Sequence, residues 1–167
     1  AKFQMRNIQA LYRHTSPDLS EDLGVEYSKD LINRMELTVE NHRELKQYCD
    51  EIGIEYLCSP WDQESLNILK TLGISRLKLA SADFENDPLI RQALEYDVDL
   101  ILSTGMATHE LIESQWNKFC KYSQKISLLH CVSTYPAPFQ DIQLNYLRRL
   151  QELTPNVGYS GHERGIG

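Results

Sequence analysis

The sequence has no CxxC pair, and its four cysteines (Cys49, Cys58, Cys120, Cys131) follow no regular spacing. This argues against a disulfide framework or a zinc site and favours reduced, buried thiols in a cytoplasmic protein. No apolar run approaches the roughly 18–20 residues needed to span a bilayer, so no membrane association is expected. Positive charge is in deficit, with 17 Lys and Arg against 24 Asp and Glu and a net charge of −7. A nucleic-acid partner would want a basic face, so none is expected. The deficit leaves room for an anionic small molecule, because a pocket needs only local positive charge. Glycine and proline are sparse, and no G-x-G-x-x-G follows the first strand-like segment, which argues against a dinucleotide-binding fold. The opening Ala1-Lys2-Phe3-Gln4 has neither an initiator Met nor a signal-peptide pattern, and reads as the interior of a longer chain.

What is present is a repeat of short apolar runs and amphipathic stretches. Strands are expected at Ala1–Gln4, Glu55–Ser59, Arg76–Ser81, Asp99–Thr104, Lys125–Val132 and Asn156–Ser160. Helices are expected at Asn41–Ile52, Gln63–Leu72, Pro88–Tyr96, His109–Tyr122 and Leu144–Leu153. Polar strand ends fall at Ser59, Ser81, Ser103, Ser133 and Ser160, separated by 22, 22, 30 and 27 residues, the period of a βα unit. Alternating short strands and helices imply an α/β protein with a parallel sheet. Polar residues at the end of strand after strand suit a (β/α)₈ TIM barrel, whose site draws on every strand, better than an open sheet with one switch point. A whole barrel takes roughly 250 residues, so the chain is expected to hold about six of the eight βα units. The segment Arg6–Glu40, with its turn-prone Ser16-Pro17-Asp18, has no clear periodicity. It reads as a long loop, either a lid over substrate or a flexible insertion.

Lys2 and Lys78 interrupt strands that should be apolar. Either each snorkels outward between helices, or both face an anion. Together with five strand-end serines they favour a phosphate or carboxylate pocket, where hydroxyls donate hydrogen bonds and lysines supply point charge. His14 and His42 read as solvated, and nothing special explains His109 beside the capping Thr108. His130, inside an apolar strand, reads as a hydrogen-bonded core histidine. His162 follows the last strand, where an imidazole could hold a metal or move a proton. Tyr135-Pro136-Ala137-Pro138 is either a plain rigid loop or one that holds Tyr135 over the barrel mouth. Asp83 could accept a sugar hydroxyl, Glu85 could serve as a helix-start acid, and Asp87 before Pro88 reads as an N-cap.

The strand ends Lys2-Phe3-Gln4, Cys58-Ser59-Pro60, Lys78-Leu79-Ala80-Ser81, Leu102-Ser103-Thr104-Gly105-Met106, Leu129-His130-Cys131-Val132-Ser133-Thr134-Tyr135-Pro136 and Gly158-Tyr159-Ser160-Gly161-His162-Glu163 resemble the sialic acid synthase family in order. That family includes the N-acetylneuraminate, legionaminate and pseudaminate synthases. The resemblance implies metal-assisted condensation of phosphoenolpyruvate with an N-acyl-hexosamine, giving a nonulosonate and phosphate. It assigns Lys2, Ser59, Lys78, Ser81, Ser103, Ser133 and Ser160 to phosphoenolpyruvate, and Gln4, Asp83 and Tyr135 to the sugar. It makes His162 one of two histidine ligands to a divalent metal, Mn²⁺ or Mg²⁺, and implies a homodimer. By the same resemblance, residues 1–167 are the central part of one synthase domain. The first strand, the last strand with the second metal histidine, and a C-terminal antifreeze-like domain would lie outside the chain. Gly161 stands where many relatives carry Asp. Alternatives are a Schiff-base pyruvate aldolase using Lys78 or Lys2, and a degenerate barrel that binds a phosphorylated sugar without catalysis.

Overall fold

The computed structural model describes residues 1–11 and 25–165, the side chains of 25–29 excepted. His14 and Ser16-Pro17-Asp18 therefore lie outside the described residues. The chain divides into two compact units, Ala1–Ile74 and Ser75–Gly167.

The first unit runs β1 (Lys2–Met5), α1 (Ile8–Leu11), α2 (Val25–Met35), α3 (Val39–Glu51), β2 (Leu57–Pro60) and α4 (Gln63–Thr71). β1 and β2 pair in parallel, with Gln4 opposite Ser59. Local chemistry sets where the helices start. Thr38 and Asn41 form a reciprocal capping box for α3, each bond 3.1 Å, satisfying two N–H groups that the first turn leaves unpaired. Asp62 caps α4 at Ser65 N–H (2.7 Å), and its second oxygen accepts Asn7 N–H (2.6 Å), tying the exit of β1 to the start of α4.

Two expectations fail in this unit. Arg6–Glu40 is not a continuous loop, since it contains α1 and α2, and Glu36 accepts the Arg6 backbone N–H at 3.0 Å and pairs with its guanidinium at 3.2 Å. His42 is fully buried rather than solvated, with Nδ1 2.6 Å from the Tyr56 hydroxyl. Phe3 stacks on Tyr56 with centroids 5.2 Å apart, and His42 meets both rings edge-on, so an aromatic platform covers an imidazole whose sequence neighbours are polar.

The second unit runs β3 (Arg76–Leu79), α5 (Asp87–Glu95), β4 (Asp99–Ser103), α6 (His109–Phe119), β5 (Ile126–Cys131), α7 (Tyr146–Gln151) and β6 (Val157–Ser160). Its four strands are parallel and neighbour one another in chain order. Strands in unbroken order, with a helix between each and the next, build a (β/α)-barrel wall. A doubly wound sheet would reverse its order. Alternation sorts the strands into two faces. Leu77, Leu79, Leu100, Leu102, Ile126 and Leu128 are at most 3% exposed, and form the core with Leu89, Ile90, Ile112, Phe119 and Leu150 from the helices. Burying one such side chain contributes about 1.5–3 kcal/mol. By register, Lys78, Ser103, Cys131 and Ser160 belong to the opposite face.

Element ends differ from expectation by a few residues, and three particulars need correction. Asn86, not Asp87, caps α5 at Leu89 N–H (3.3 Å). Asp87 occupies the first turn, where Gln115 Nε2 (2.6 Å) and Lys118 Nζ (3.1 Å) bind it; these donors hold its carboxyl below the usual range against the opposing effect of burial. α7 begins at Tyr146 rather than Leu144: after Gln143 (φ 45°), Leu144 and Asn145 lie in turns whose bonds run three residues back, Tyr146 N–H to Gln143 O (2.8 Å) and Leu147 N–H to Leu144 O (3.1 Å). Cys120 is exposed, while Cys49, Cys58 and Cys131 are buried, and all four are free thiols. No helix among the described residues is long and apolar enough to cross a membrane.

Candidate functional site

In the second unit the ends of β3, β4 and β5 converge on one small polar cradle. Ser81 follows β3, and its Oγ accepts the Gly105 N–H at 3.1 Å. The same Oγ lies 3.2 Å from Cys131 Sγ at the end of β5. Gly105 has no room for a side chain, since a Cβ there would meet Cys131 Sγ and Ser133 Oγ at 2.6 Å and Cys131 O at 2.8 Å. Ser81, Gly105, Cys131 and Ser133 are thus in mutual reach. Beside them Thr104 is anchored to Leu129 O through its N–H (3.0 Å) and its hydroxyl (3.1 Å). Ser103 is 1% exposed, and its Oγ has no hydrogen-bond partner among the described residues. A buried hydroxyl left unpaired costs about 1–3 kcal/mol, so this one is available to a ligand.

The end of β6 adds an imidazole. His162 Nδ1 is 2.7 Å from the Val132 carbonyl, which can only accept, so Nδ1 carries a proton and, in the neutral imidazole, the lone pair is on Nε2. Nε2 faces the Tyr135 hydroxyl at 3.3 Å, with ring centroids 4.2 Å apart. Ala137 N–H donates to His162 O at 3.0 Å, joining the Tyr-Pro loop to the turn that carries the imidazole. An imidazole whose Nδ1–H is held by a carbonyl is the usual form of a metal-ligating histidine. Glu163 turns back to accept the Tyr159 hydroxyl at 2.8 Å. Backbone N–H groups and that hydroxyl hold its carboxyl below the usual range, while burial, with Glu163 as acceptor, pushes the Tyr159 phenol up to about 12.

The other sequence candidates are placed as follows. Lys78 is half-buried on the face opposite the core leucines, and Ser160 pairs in register with Cys131 on that face. Asp83 lies in the turn after β3, and its Oδ1 accepts from Asn86 at 3.0 Å. In the first unit Lys2, Gln4 and Ser59 share one strand face by register, with Lys2 and Gln4 exposed and Ser59 2% exposed. Ser59 Oγ has no partner among the described residues, and Gln4 accepts from the Arg6 guanidinium. His130 is a core histidine, with Nε2 2.6 Å from Ile142 O. His109 has a structural partner after all, the Tyr146 hydroxyl at 2.9 Å. A concavity of about 420 Å³ lined by Arg76, Asp99, Lys125 and Asn156 opens at the starts of the strands, away from the serines.

The model of the NeuB family matches residues 1–167. The chain belongs to the NeuB family. It is 36% identical to the N,N'-diacetyllegionaminic acid synthase of Campylobacter jejuni, over 98% of this chain and 51% of that protein. To the N-acetylneuraminate-9-phosphate synthase of Drosophila melanogaster it is 29% identical, over 99% of this chain and 46% of that one. The crystal structure of N-acetylneuraminic acid synthetase from Leptospira borgpetersenii in complex with citrate superposes with a TM-score of 0.86 at 31% identity. That match covers 99% of this chain and 55% of the other. This NeuB chain spans about half the length of the relatives it matches.

The NeuB cradle includes groups that sequence reasoning missed. The Gly105 N–H is backbone and leaves no mark beyond the glycine. Cys131 is a buried thiol, as expected, and its Sγ also lies 3.2 Å from Ser81 Oγ, a partner distant in sequence. Glu163 and Tyr159 gave no signal beyond adjacency to His162. For the divalent metal that the family implies, His162 Nε2 has suitable donor chemistry. No group of three potential metal ligands comes together among the described residues.

Proposed function

We propose that this chain is the central part of a single (β/α)₈-barrel domain that condenses phosphoenolpyruvate with an N-acyl-hexosamine, releasing phosphate and a sialic-acid-like nonulosonate. The observation that carries it is the convergence of Ser81 Oγ, Gly105 N–H and Ser133 beside the unpartnered, buried Ser103 Oγ. Compact anions are bound by such clusters of hydroxyl donors, and the Gly105 N–H orients one of them by donating to Ser81 Oγ.

Ser81, Ser103, Ser133 and Ser160 donate hydrogen bonds to phosphate or carboxylate oxygens, with Lys78 supplying charge on the same face. In the second unit Asp83 and the exposed Tyr135 are the candidates for sugar contacts. The first unit carries its own candidates, Lys2 and Ser59 for phosphoenolpyruvate and Gln4 for the sugar. C3 of phosphoenolpyruvate bonds to the aldehyde carbon of the open-chain sugar, water adds to the cationic C2, and phosphate leaves by C–O cleavage. His162 Nε2 would hold Mn²⁺ or Mg²⁺, oxygen-seeking ions that also accept imidazole. When bound, such an ion supplies Lewis acidity to the aldehyde oxygen. A cytoplasmic homodimer is the setting we propose.

The test is phosphate release from phosphoenolpyruvate by the natural full-length protein with Mn²⁺ and a panel of N-acyl-hexosamines, beside His162→Ala. Sugar-dependent release in the wild type, lost in the variant, is expected. No release with any sugar would refute the synthase reading and leave a phosphate-binding barrel. Product formation from pyruvate, with an adduct trapped by borohydride, would point to Schiff-base chemistry on a lysine.

A further inference from the structure

Glu163 stands beside His162, yet its carboxylate is turned away from the cradle and onto its own turn. Its Oε2 accepts the Tyr159 hydroxyl at 2.8 Å. Gly161 makes this possible, because a Cβ there would lie 2.7 and 2.8 Å from the two carboxylate oxygens. The carboxylate therefore fills the space that a side chain at 161 would take, and closes the turn from Tyr159 to Glu163 on itself. His162 is fixed from the other side by Val132 O at 2.7 Å on its ring and by Ala137 N–H at 3.0 Å on its carbonyl. Tyr159 is anchored in turn, its ring 5.9 Å from that of His130 in the core. Residues on both sides of His162 are thus held in place, while its Nε2 faces the exposed Tyr135 hydroxyl at 3.3 Å.

We propose that Glu163, braced by Tyr159 and admitted by Gly161, is a positioning residue that sets His162 Nε2 for a divalent cation. This rests on the reading of His162 as a ligand. Glu163 acts through the turn, its Oε2 being engaged by the Tyr159 hydroxyl. Its contribution is pre-organisation: without it the turn must be ordered when the cation arrives, which lowers affinity.

The experiment is titration of Mn²⁺ into the metal-free, natural full-length protein, following free Mn²⁺ by electron paramagnetic resonance. His162→Ala is expected to abolish high-affinity uptake. Glu163→Gln and Tyr159→Phe are expected to weaken it about 10-fold, the lower end for outer-shell partners of a ligand, with the KM for phosphoenolpyruvate unchanged. Tyr159→Phe removes one hydroxyl and no charge, so it separates geometry from electrostatic attraction and guards against a misfolded Glu163→Gln. Gly161→Ala should reproduce the loss by displacing the carboxylate, and combined with Glu163→Gln it should add nothing. Wild-type affinity in both Glu163→Gln and Tyr159→Phe, with His162→Ala still inactive in binding, would overturn the positioning role and leave the ligand standing. Wild-type uptake by His162→Ala, or no uptake by the wild type, would overturn both.

Discussion

Gly105→Ala is the substitution whose consequence follows most directly from the geometry. The glycine's φ lies outside the left-handed region, so its backbone accepts alanine and the whole cost is contact. The new Cβ would sit 2.6 Å from Cys131 Sγ and Ser133 Oγ, which can rotate away. It would also sit 2.8 Å from Cys131 O, which is held in β5 and cannot. Ordinary contact begins at 3.4 Å, so the Gly105 turn must back off by about 0.6 Å. Added to the present 3.1 Å, that carries Gly105 N–H to about 3.7 Å from Ser81 Oγ, beyond hydrogen-bonding range. Overpacking of this kind costs about 1–3 kcal/mol of stability. Displacement of a binding group by about 1 Å costs up to about 100-fold in rate, so kcat/KM for phosphoenolpyruvate should fall about 10- to 100-fold. Phosphate release across a phosphoenolpyruvate series, with urea melts alongside, reads both effects. Gly73→Ala is the control: nothing lies within 4 Å of its Cβ and its φ is +68°, so it should lose about 1 kcal/mol of stability and no activity. A Gly105→Ala enzyme within about 2-fold of wild type would refute the cradle, because a 0.6 Å shift there would then be harmless.

Ser103→Ala should separate binding from stability. The hydroxyl it removes has no partner, so the urea midpoint should hold or rise while KM for phosphoenolpyruvate increases about 10-fold, and a plain loss of stability would show the hydroxyl to be structural. His42 gives a pH dependence. Burial lowers its pKa from the ordinary 6.5, so the unfolded chain takes up the proton first as pH falls. Its contribution is complete above the unfolded value and is lost as pH drops below it, at no more than about 1.4 kcal/mol per pH unit. Urea unfolding from neutral pH to about pH 5 should show that slope, and His42→Gln should flatten it; equal slopes would mean that other groups govern acid stability.

The βα period was legible because it is written in composition: five serines end apolar runs, and helix caps such as Thr38, Asp62 and Thr108 are local. The face of each strand was legible in principle, since alternation alone puts Lys78 opposite Leu77 and Leu79. What was not legible depended on partners distant in sequence. His42 looks solvated beside Asn41 and Arg43, and only Phe3 and Tyr56 explain its burial. Cys131 looks like one more core thiol until Ser81, fifty residues earlier, is found 3.2 Å away.

Backbone donors explain why a serine inventory described the cradle incompletely. A hydroxyl accepts and donates at once, and in Ser81 one of the two lone pairs accepts Gly105 N–H. Its one proton is thereby directed either to Cys131 Sγ or to an arriving anion, and not back to Gly105. The glycine at 105 thus decides what the serine at 81 can do, and the lack of space for a Cβ decides the glycine. Each link in that chain is a contact between strands β3, β4 and β5, formed only once register sets Ser103 against Leu129. A site of this kind is as specific as its strand pairing. Substitutions that loosen the pairing of β4 and β5 should therefore raise KM for phosphoenolpyruvate without touching any group that binds it.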